Sequence, residues 1–227
     1  MSAMHPAIIR LSRRLVVSSQ AMNPASPLAK PELLALLAQA AELGGAGGFR
    51  VNGAAVVAAL RPKTTLPIIG IIKDNRPGFD NYITTESQDI ADLHAAGADI
   101  VAVQATSGTR PGPGFADLVA IATGVGLPVM ADVATLAEAE QAVTAGAAMV
   151  ATTMVGYTAE TKGAARPPLA LVRELRSSLD CPIVVEGGVW TAEHVADSFD
   201  AGAYCVVSGS AVTAPDLITQ KLVSAIP

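Results

Sequence analysis

A lysine and a glutamate, each ending a short apolar run, are the residues of this sequence best suited to chemistry. Lys73 ends the isoleucine-rich run 66–73, and Glu186 ends the run 181–186. A buried amine with a lowered pKa can act as a base, and a carboxylate can give or take a proton. The pair therefore predicts proton transfer. Two structural alternatives stay open: Lys73 begins a surface loop, or Glu186 serves only as an ion-pair partner of Lys73.

Apolar strand-like runs alternate with helix-like runs along the whole chain of 227 residues. Eight such pairs predict an α/β fold, a (β/α)8 TIM barrel that forms a single domain over residues 1–227. A doubly wound open sheet is the alternative, but no Gly-x-Gly-x-x-Gly follows the first strand. The predicted strands are 15–20, 47–51, 66–73, 100–106, 128–133, 148–153, 181–186 and 204–208. The predicted helices are 31–43, 54–61, 85–96, 115–124, 135–145, 169–179, 191–199 and 216–225.

A weak internal repeat supports the alternation. The pattern Ala-Gly-Ala-x-x-Val begins at residues 96, 145 and 201. In each copy the glycine, Gly97, Gly146 or Gly202, is predicted to end a helix in the left-handed conformation, and the residues after it enter a strand.

Polar residues stand at the end of every predicted strand, and in such barrels these ends converge on one mouth where the chemistry occurs. Strands three and seven are four apart in a ring of eight, so Lys73 and Glu186 are expected to face each other, with Arg50 helping to lower the lysine pKa. Opposed groups suit the removal of a proton from one face of a carbon and its return to the other, which is an epimerisation. The residues at the ends are Gln20, Arg50, Lys73, Gln104, Asp132, Thr152, Thr153, Glu186 and Ser208.

Small residues follow the last two predicted strands, at the place where these barrels commonly bind phosphate. Gly187 and Gly188 follow the seventh strand, and Ser208, Gly209 and Ser210 follow the eighth. We expect their backbone N–H groups to bind an anion, the alternative being ordinary turn glycines. Two longer loops, 74–85 and 155–168, are candidates to close over a ligand.

Composition and charge exclude several functional classes. The net charge of −5 without a basic run argues against nucleic acid, and no apolar segment is long enough to cross a membrane. The apolar run 15–17, within the segment 1–22, is too short for a signal peptide, and Cys181 and Cys205 are predicted to be reduced core thiols of a cytoplasmic protein. The three histidines share no metal-ligand spacing, so no metal is expected. Leu217, Ile218, Leu222 and Val223 form an apolar stripe on the last helix, which either makes a homodimer contact or packs on the barrel.

These features together resemble the N-acetylmannosamine-6-phosphate 2-epimerase family over nearly the whole chain. The resemblance implies a barrel of the ribulose-phosphate-binding type that interconverts N-acetylmannosamine 6-phosphate and N-acetylglucosamine 6-phosphate in sialic acid breakdown, without a cofactor. It places catalysis on Lys73 and Glu186, and we expect the substrate to be bound by Gln20, Arg50, Gln104, Asp132, Thr152 and Tyr157. The matching stretches are VSSQA from residue 17, PIIGIIK from 67, YIT from 82, AGADI from 96, MAD from 130, TTMVGYT from 152, EG from 186 and GSAVT from 209.

The sequence departs from the family pattern around substrate recognition. The family usually carries Asp where Gln104 stands, an acidic residue where Ser107 stands, and arginines where Gly188 and Ala214 stand. Losing two arginines should weaken phosphate binding unless backbone donors suffice, or Arg110 or Arg166 compensates. Three alternatives stay open: the same chemistry on a different or unphosphorylated amino sugar, a non-catalytic sugar-phosphate-binding barrel, and a Schiff-base aldolase using Lys73.

Overall fold

Eight parallel strands pair in chain order, and the last pairs with the first, so the sheet closes into a barrel. The computed structural model describes residues 4–226, so the ends of the predicted domain 1–227 and the start of the segment 1–22 lie outside the described residues. The predicted (β/α)8 barrel is confirmed, and the open-sheet alternative is wrong. The strands are β1 Leu15–Ser19, β2 Gly48–Asn52, β3 Ile68–Ile71, β4 Ile100–Gln104, β5 Val129–Asp132, β6 Met149–Ala151, β7 Ile183–Glu186 and β8 Cys205–Ser208.

Helices follow each strand and cover the outside of the barrel. The eight predicted helices are present, and two short helices, α1 and α9, were not predicted because they have only five and four residues and show no periodicity. Two 3-10 turns, Arg61–Lys63 and Thr152–Met154, complete the regular elements. The helices are α1 Pro6–Arg10, α2 Pro31–Leu43, α3 Ala54–Leu60, α4 Ser87–Ala96, α5 Phe115–Gly124, α6 Leu136–Thr144, α7 Leu169–Ser178, α8 Ala192–Asp200, α9 Ser210–Thr213 and α10 Pro215–Val223.

The helix ends have the local chemistry that their sequences predict. Thr135 caps α6, and Glu138 completes the capping box by accepting the Thr135 N–H. The three repeat glycines have positive φ angles of 93° at Gly97, 101° at Gly146 and 105° at Gly202. Each of them therefore turns the chain from a helix into the next strand, as predicted.

Two apolar layers hold the barrel together. Inward side chains such as Ile69, Met130 and Val184 fill the interior, and outward side chains pack under the helices. Ile8 and Leu11 belong to the interior cluster. A Cβ on Gly48, at the start of β2, would lie 2.6 Å from Leu11 Cδ2, so α1 and the residue after it cover the end of the barrel where the strands begin.

The third predicted strand, 66–73, is longer than the strand that forms. β3 ends at Ile71, and Lys73 instead makes an antiparallel bridge with Ile83 from the following loop. Thr84 N–H donates to the Ile72 carbonyl at 2.7 Å, which continues this pairing. Part of the long loop after β3 therefore pairs with the barrel wall next to Lys73.

The thiols are free, as predicted. Cys181 is half-buried and Cys205 is buried inside the barrel, where burial raises the pKa of its thiol to about 12. Within residues 4–226, each helix is too short or too polar to span a bilayer.

Candidate active site

A buried arginine on β2 connects the ends of three strands. The Arg50 guanidinium is 1% exposed and holds Asp132 through two bonds, Nη1 to Oδ1 at 3.0 Å and Nη2 to Oδ2 at 2.6 Å. Nη1 also donates to Glu186 Oε2 and, at 3.1 Å, to Thr153 Oγ1. Because an arginine fork matches a carboxylate geometrically, this arrangement fixes the orientation of both acids at the end of the barrel.

Glu186 ends β7, and its side chain is 15% exposed toward a cavity at the mouth. Its Oε2 accepts a hydrogen bond from Arg50 Nη1 and lies 3.3 Å from Thr153 Oγ1, whereas Oε1 has no protein partner among residues 4–226. Burial raises the pKa of Glu186, and Arg50 opposes that shift by stabilising the carboxylate. The unbonded oxygen of Glu186 is thus placed to carry a proton in the cavity.

Lys73 lines the same cavity from the β3 side of the ring. Its backbone N–H donates to Asn52 Oδ1 at 2.9 Å, and burial and the Arg50 charge lower the pKa of its ammonium. In the part of the chain that the structure describes, the Lys73 ammonium forms no ion pair. The alternative in which Glu186 is the ion-pair partner of Lys73 is therefore wrong, since Glu186 pairs with Arg50.

Thr153 joins the two acids; its position at the end of a predicted strand placed it at the mouth, but it was not among the residues predicted to bind substrate. Its hydroxyl donates to Asp132 Oδ1 at 2.6 Å and lies between that carboxylate and Glu186. Strand alternation from Met149 and Ala151 was a signal that Thr153 points inward. Thr152 instead bonds the Glu186 backbone, accepting its N–H at 3.1 Å and donating to its carbonyl at 2.9 Å.

We expect Thr153→Val to reduce stability and activity together. The variant keeps the side-chain shape but leaves Arg50 and Asp132 each short of one buried hydrogen bond, which costs about 1–3 kcal/mol. Chemical denaturation with a parallel rate assay measures both effects. Thr144→Val on the exposed face of α6 is the control and should change the free energy of unfolding by less than about 0.5 kcal/mol. Equal effects of the two variants would contradict this role for Thr153.

The other predicted binding residues divide between the cavity wall and its support. Gln20 and Tyr157 line the cavity, together with Tyr82 and Trp190, which were not predicted to bind substrate. Gln20 Nε2 donates to Ser18 Oγ at 2.8 Å, while its buried Oε1 has no protein partner among the described residues. Arg50, Asp132 and Thr152 lie below the cavity and orient Glu186, so their contact with substrate stays a prediction.

Gln104 was predicted to bind substrate, but its side-chain amide forms hydrogen bonds with the loop after β3 and with Thr106. Tyr82 N–H donates to Gln104 Oε1 at 2.9 Å, and Gln104 Nε2 donates to the Asp80 carbonyl at 3.3 Å and to Thr106 Oγ1 at 2.7 Å. The residue is 1% exposed. Gln104 therefore supports the segment that forms the Tyr82 side of the cavity.

The loops predicted to bind phosphate meet at one side of the cavity. Gly187, Gly188, Gly209 and Ser210 line it. The Ser208 hydroxyl points away from the cavity and donates to the Val189 carbonyl at 2.9 Å, which ties the two loops together. Gly187 and Gly188 have positive φ angles of 107° and 76°, so their conformation favours glycine and leaves their backbone open to a ligand.

Comparisons with known proteins point to one enzyme family. Residues 34–227 match the NanE family model, described as "Putative N-acetylmannosamine-6-phosphate epimerase". A "Putative N-acetylmannosamine-6-phosphate 2-epimerase" of Thermosynechococcus vestitus is 42% identical over 214 residues, covering 93% of this chain and 92% of the relative. A relative of the same name from Caldanaerobacter subterraneus is 35% identical over 227 residues, covering 96% and 92%.

A solved structure is also similar over the whole chain. The N-acetylmannosamine-6-phosphate 2-epimerase of Clostridium perfringens matches with a TM-score of 0.94 and 32% identity, covering 100% of this chain and 99% of that one. The barrel, the Lys73–Glu186 cavity and the sequence matches therefore lead to one assignment. This chain belongs to the N-acetylmannosamine-6-phosphate 2-epimerase family.

Proposed function

We propose that this chain is an isomerase that inverts C2 of N-acetylmannosamine 6-phosphate to give N-acetylglucosamine 6-phosphate. The observation that carries the proposal is the placement of Lys73 and Glu186 on one cavity, four strands apart, with the amine unpaired among residues 4–226 and the carboxylate held by Arg50. Relatives named for this reaction cover nearly the whole chain, which supports the choice of substrate.

Lys73 is the base in this mechanism. When the sugar opens, C1 becomes an aldehyde and the C2 proton becomes acidic, because the electron pair left on C2 spreads onto the C1 oxygen. The neutral amine takes that proton, the C2–H bond breaks, and an enolate forms across C1 and C2. A lowered lysine pKa increases the fraction of enzyme that holds the amine in the neutral form.

Glu186 returns a proton from the opposite side. With Oε2 bound by Arg50, Oε1 carries the proton and gives it to the other face of C2, and the carbonyl at C1 re-forms. The configuration at C2 is then inverted, Lys73 is protonated and Glu186 is ionised. Proton exchange with solvent then returns Lys73 to its neutral form and Glu186 to its protonated form. The reverse reaction starts with Lys73 protonated and Glu186 ionised.

The pH dependence follows from these two groups. In both reaction directions the active pair holds one proton in total, so kcat/KM should be bell-shaped with the same limbs in each direction. The acid limb lies above the ordinary pKa of a glutamate because burial raises the pKa of Glu186. The alkaline limb lies below the ordinary pKa of a lysine because burial and Arg50 lower the pKa of Lys73. Initial rates measured from about pH 4 to 11 test this, and a flat profile would contradict it.

The substrate class is tested by comparing kcat/KM for N-acetylmannosamine 6-phosphate and free N-acetylmannosamine. A marked preference for the phosphorylated sugar supports the proposal. Equal or better use of the free sugar would favour an epimerase of unphosphorylated amino sugars. Product formation is followed by separating the two C2 epimers, so the assay does not depend on a coupling enzyme.

Three further expectations accompany the proposal. Residues 1–227 form one domain, the enzyme is cytoplasmic, and the chain forms a homodimer through α10. The last of these is supported by the exposure of Leu222 and Val223, at 68% and 55%, on that helix.

A further inference from the structure

Arg166 places a cation at the rim of the cavity. It lies in the loop between β6 and α7, and its guanidinium carbon is 5.0 Å from the centroid of the Tyr157 ring, which lines the cavity. Within residues 4–226, no carboxylate pairs with this guanidinium. Its charge is therefore available to a ligand.

The two glycines after β7 make room for this side chain. A Cβ on Gly188 would overlap the Arg166 Cβ and lie 2.8 Å from the Arg166 carbonyl carbon, and a Cβ on Gly187 would lie 3.9 Å from Arg166 Cδ. Gly156 approaches from the other side, where an added Cβ would lie 3.4 Å from both Arg166 Cδ and Nε. The arginine thus occupies the space that a side chain at position 188 would otherwise take, directly beside the predicted phosphate loops.

The charge balance of the site explains why a further cation is needed. Arg50 is held by Asp132 and Glu186, so the buried cluster supplies no free positive charge, and the pKa of Lys73 is lowered. A phosphate monoester brings about 1.5 to 2 negative charges at neutral pH. If only backbone N–H groups bound the phosphate, no positive charge would balance its negative charge.

We propose that Arg166 is the guanidinium that binds the substrate phosphate and that sets the preference for phosphorylated over free amino sugars. This inference rests on the proposed function for its sugar. A charge-assisted bond from arginine to phosphate accounts for roughly 1.5–3 kcal/mol, or roughly a 10- to 100-fold change in affinity. Arg166→Ala should therefore lower the ratio of kcat/KM for phosphorylated over free N-acetylmannosamine by that factor. Arg166→Lys keeps the charge without the planar fork of the guanidinium, so it should retain part of the preference for the phosphorylated sugar.

Binding of inorganic phosphate tests the inference without reference to the sugar. Phosphorus NMR titration of the full chain measures the dissociation constant for wild type, Arg166→Ala, and Arg10→Ala, an exposed arginine at the opposite end of the barrel. We expect Arg166→Ala to weaken binding 10- to 100-fold and Arg10→Ala to leave it unchanged. Gly188→Ala forces the Arg166 backbone to move, so this variant should also bind phosphate more weakly than the wild type.

Several results would overturn the inference. One is that the wild type shows no saturable phosphate binding. Another is that the wild type and Arg166→Ala bind phosphate with equal affinity. The third is that Lys221→Met loses phosphate affinity and Arg166→Ala does not. Lys221 is the competing cation because its Nζ lies 4.5 Å from the centroid of Trp190, which also lines the cavity. A failure of the proposed function looks different: phosphate affinity depends on Arg166, but the wild type does not convert N-acetylmannosamine 6-phosphate.

Discussion

Lys73→Met is expected to lower kcat/KM by roughly 10²- to 10⁴-fold, because it removes the base that takes the C2 proton. The fold should survive. Burial and Arg50 already lower the pKa of the amine, which means that the site disfavours the charged form of Lys73. A methionine of similar shape avoids that cost, so the melting temperature should stay the same or rise.

Lys63→Met is the matched control, since Lys63 is exposed in the turn after α3. It removes the same charge from the surface and should leave kcat/KM within twofold of the wild type. Melting curves and initial rates are measured on both variants. A Lys73→Met protein that is folded and as active as Lys63→Met would contradict the assignment of the base.

Arg50→Met is expected to cost about 3–5 kcal/mol of unfolding free energy at neutral pH, because it leaves two buried carboxylates without their counter-ion. Asp132 is 0% exposed and the Glu186 side chain is 15% exposed, and Arg50 contacts both acids. Urea denaturation measures the loss. Arg76→Met is the control: it breaks two surface ion pairs, with Asp74 and Glu86, and should cost at most about 1 kcal/mol.

The deficit of Arg50→Met, meaning its loss of unfolding free energy relative to the wild type, should also depend on pH in a defined direction. Without the guanidinium, the pKa of Glu186 rises further above its unfolded value, since Arg50 is the main group that opposes the effect of burial. A raised folded-state pKa contributes stability at low pH that is lost as pH rises through it. The deficit should therefore shrink toward pH 4 and grow toward pH 8. A deficit independent of pH, or one no larger than that of Arg76→Met, would show that Arg50 does not hold these acids.

The barrel could be predicted from the sequence because each strand is buried on both faces. Such strands appear as short apolar runs, and each repeat glycine marks the turn from a helix into one of them. The small elements could not be predicted. The helix α1 has five residues and owes its position to packing against the barrel interior, and the pairing of Lys73 with Ile83 depends on a loop that returns after ten residues.

The candidate site was predicted in outline and not in its contacts. Polar strand ends placed Lys73, Glu186 and Arg50 at one mouth, and burial and Arg50 lower the pKa of Lys73 as predicted. Arg50 bonds to Asp132, which lies 82 positions further along the chain, and to Glu186, which lies 136 positions further along. No local sequence pattern can indicate contacts over such separations. Gln104 shows the same limit, because only the folded loop reveals that its amide is already bonded.

The C2 proton tests the central claim most directly. Purified protein is mixed with N-acetylmannosamine 6-phosphate in D₂O, and the C2 signal is followed by proton NMR. We predict that deuterium replaces the C2 proton as N-acetylglucosamine 6-phosphate appears, and that Lys73→Met prevents both changes. A folded wild-type protein that leaves the C2 proton in place would contradict the assignment of Lys73 and Glu186 as the acid–base pair for this substrate.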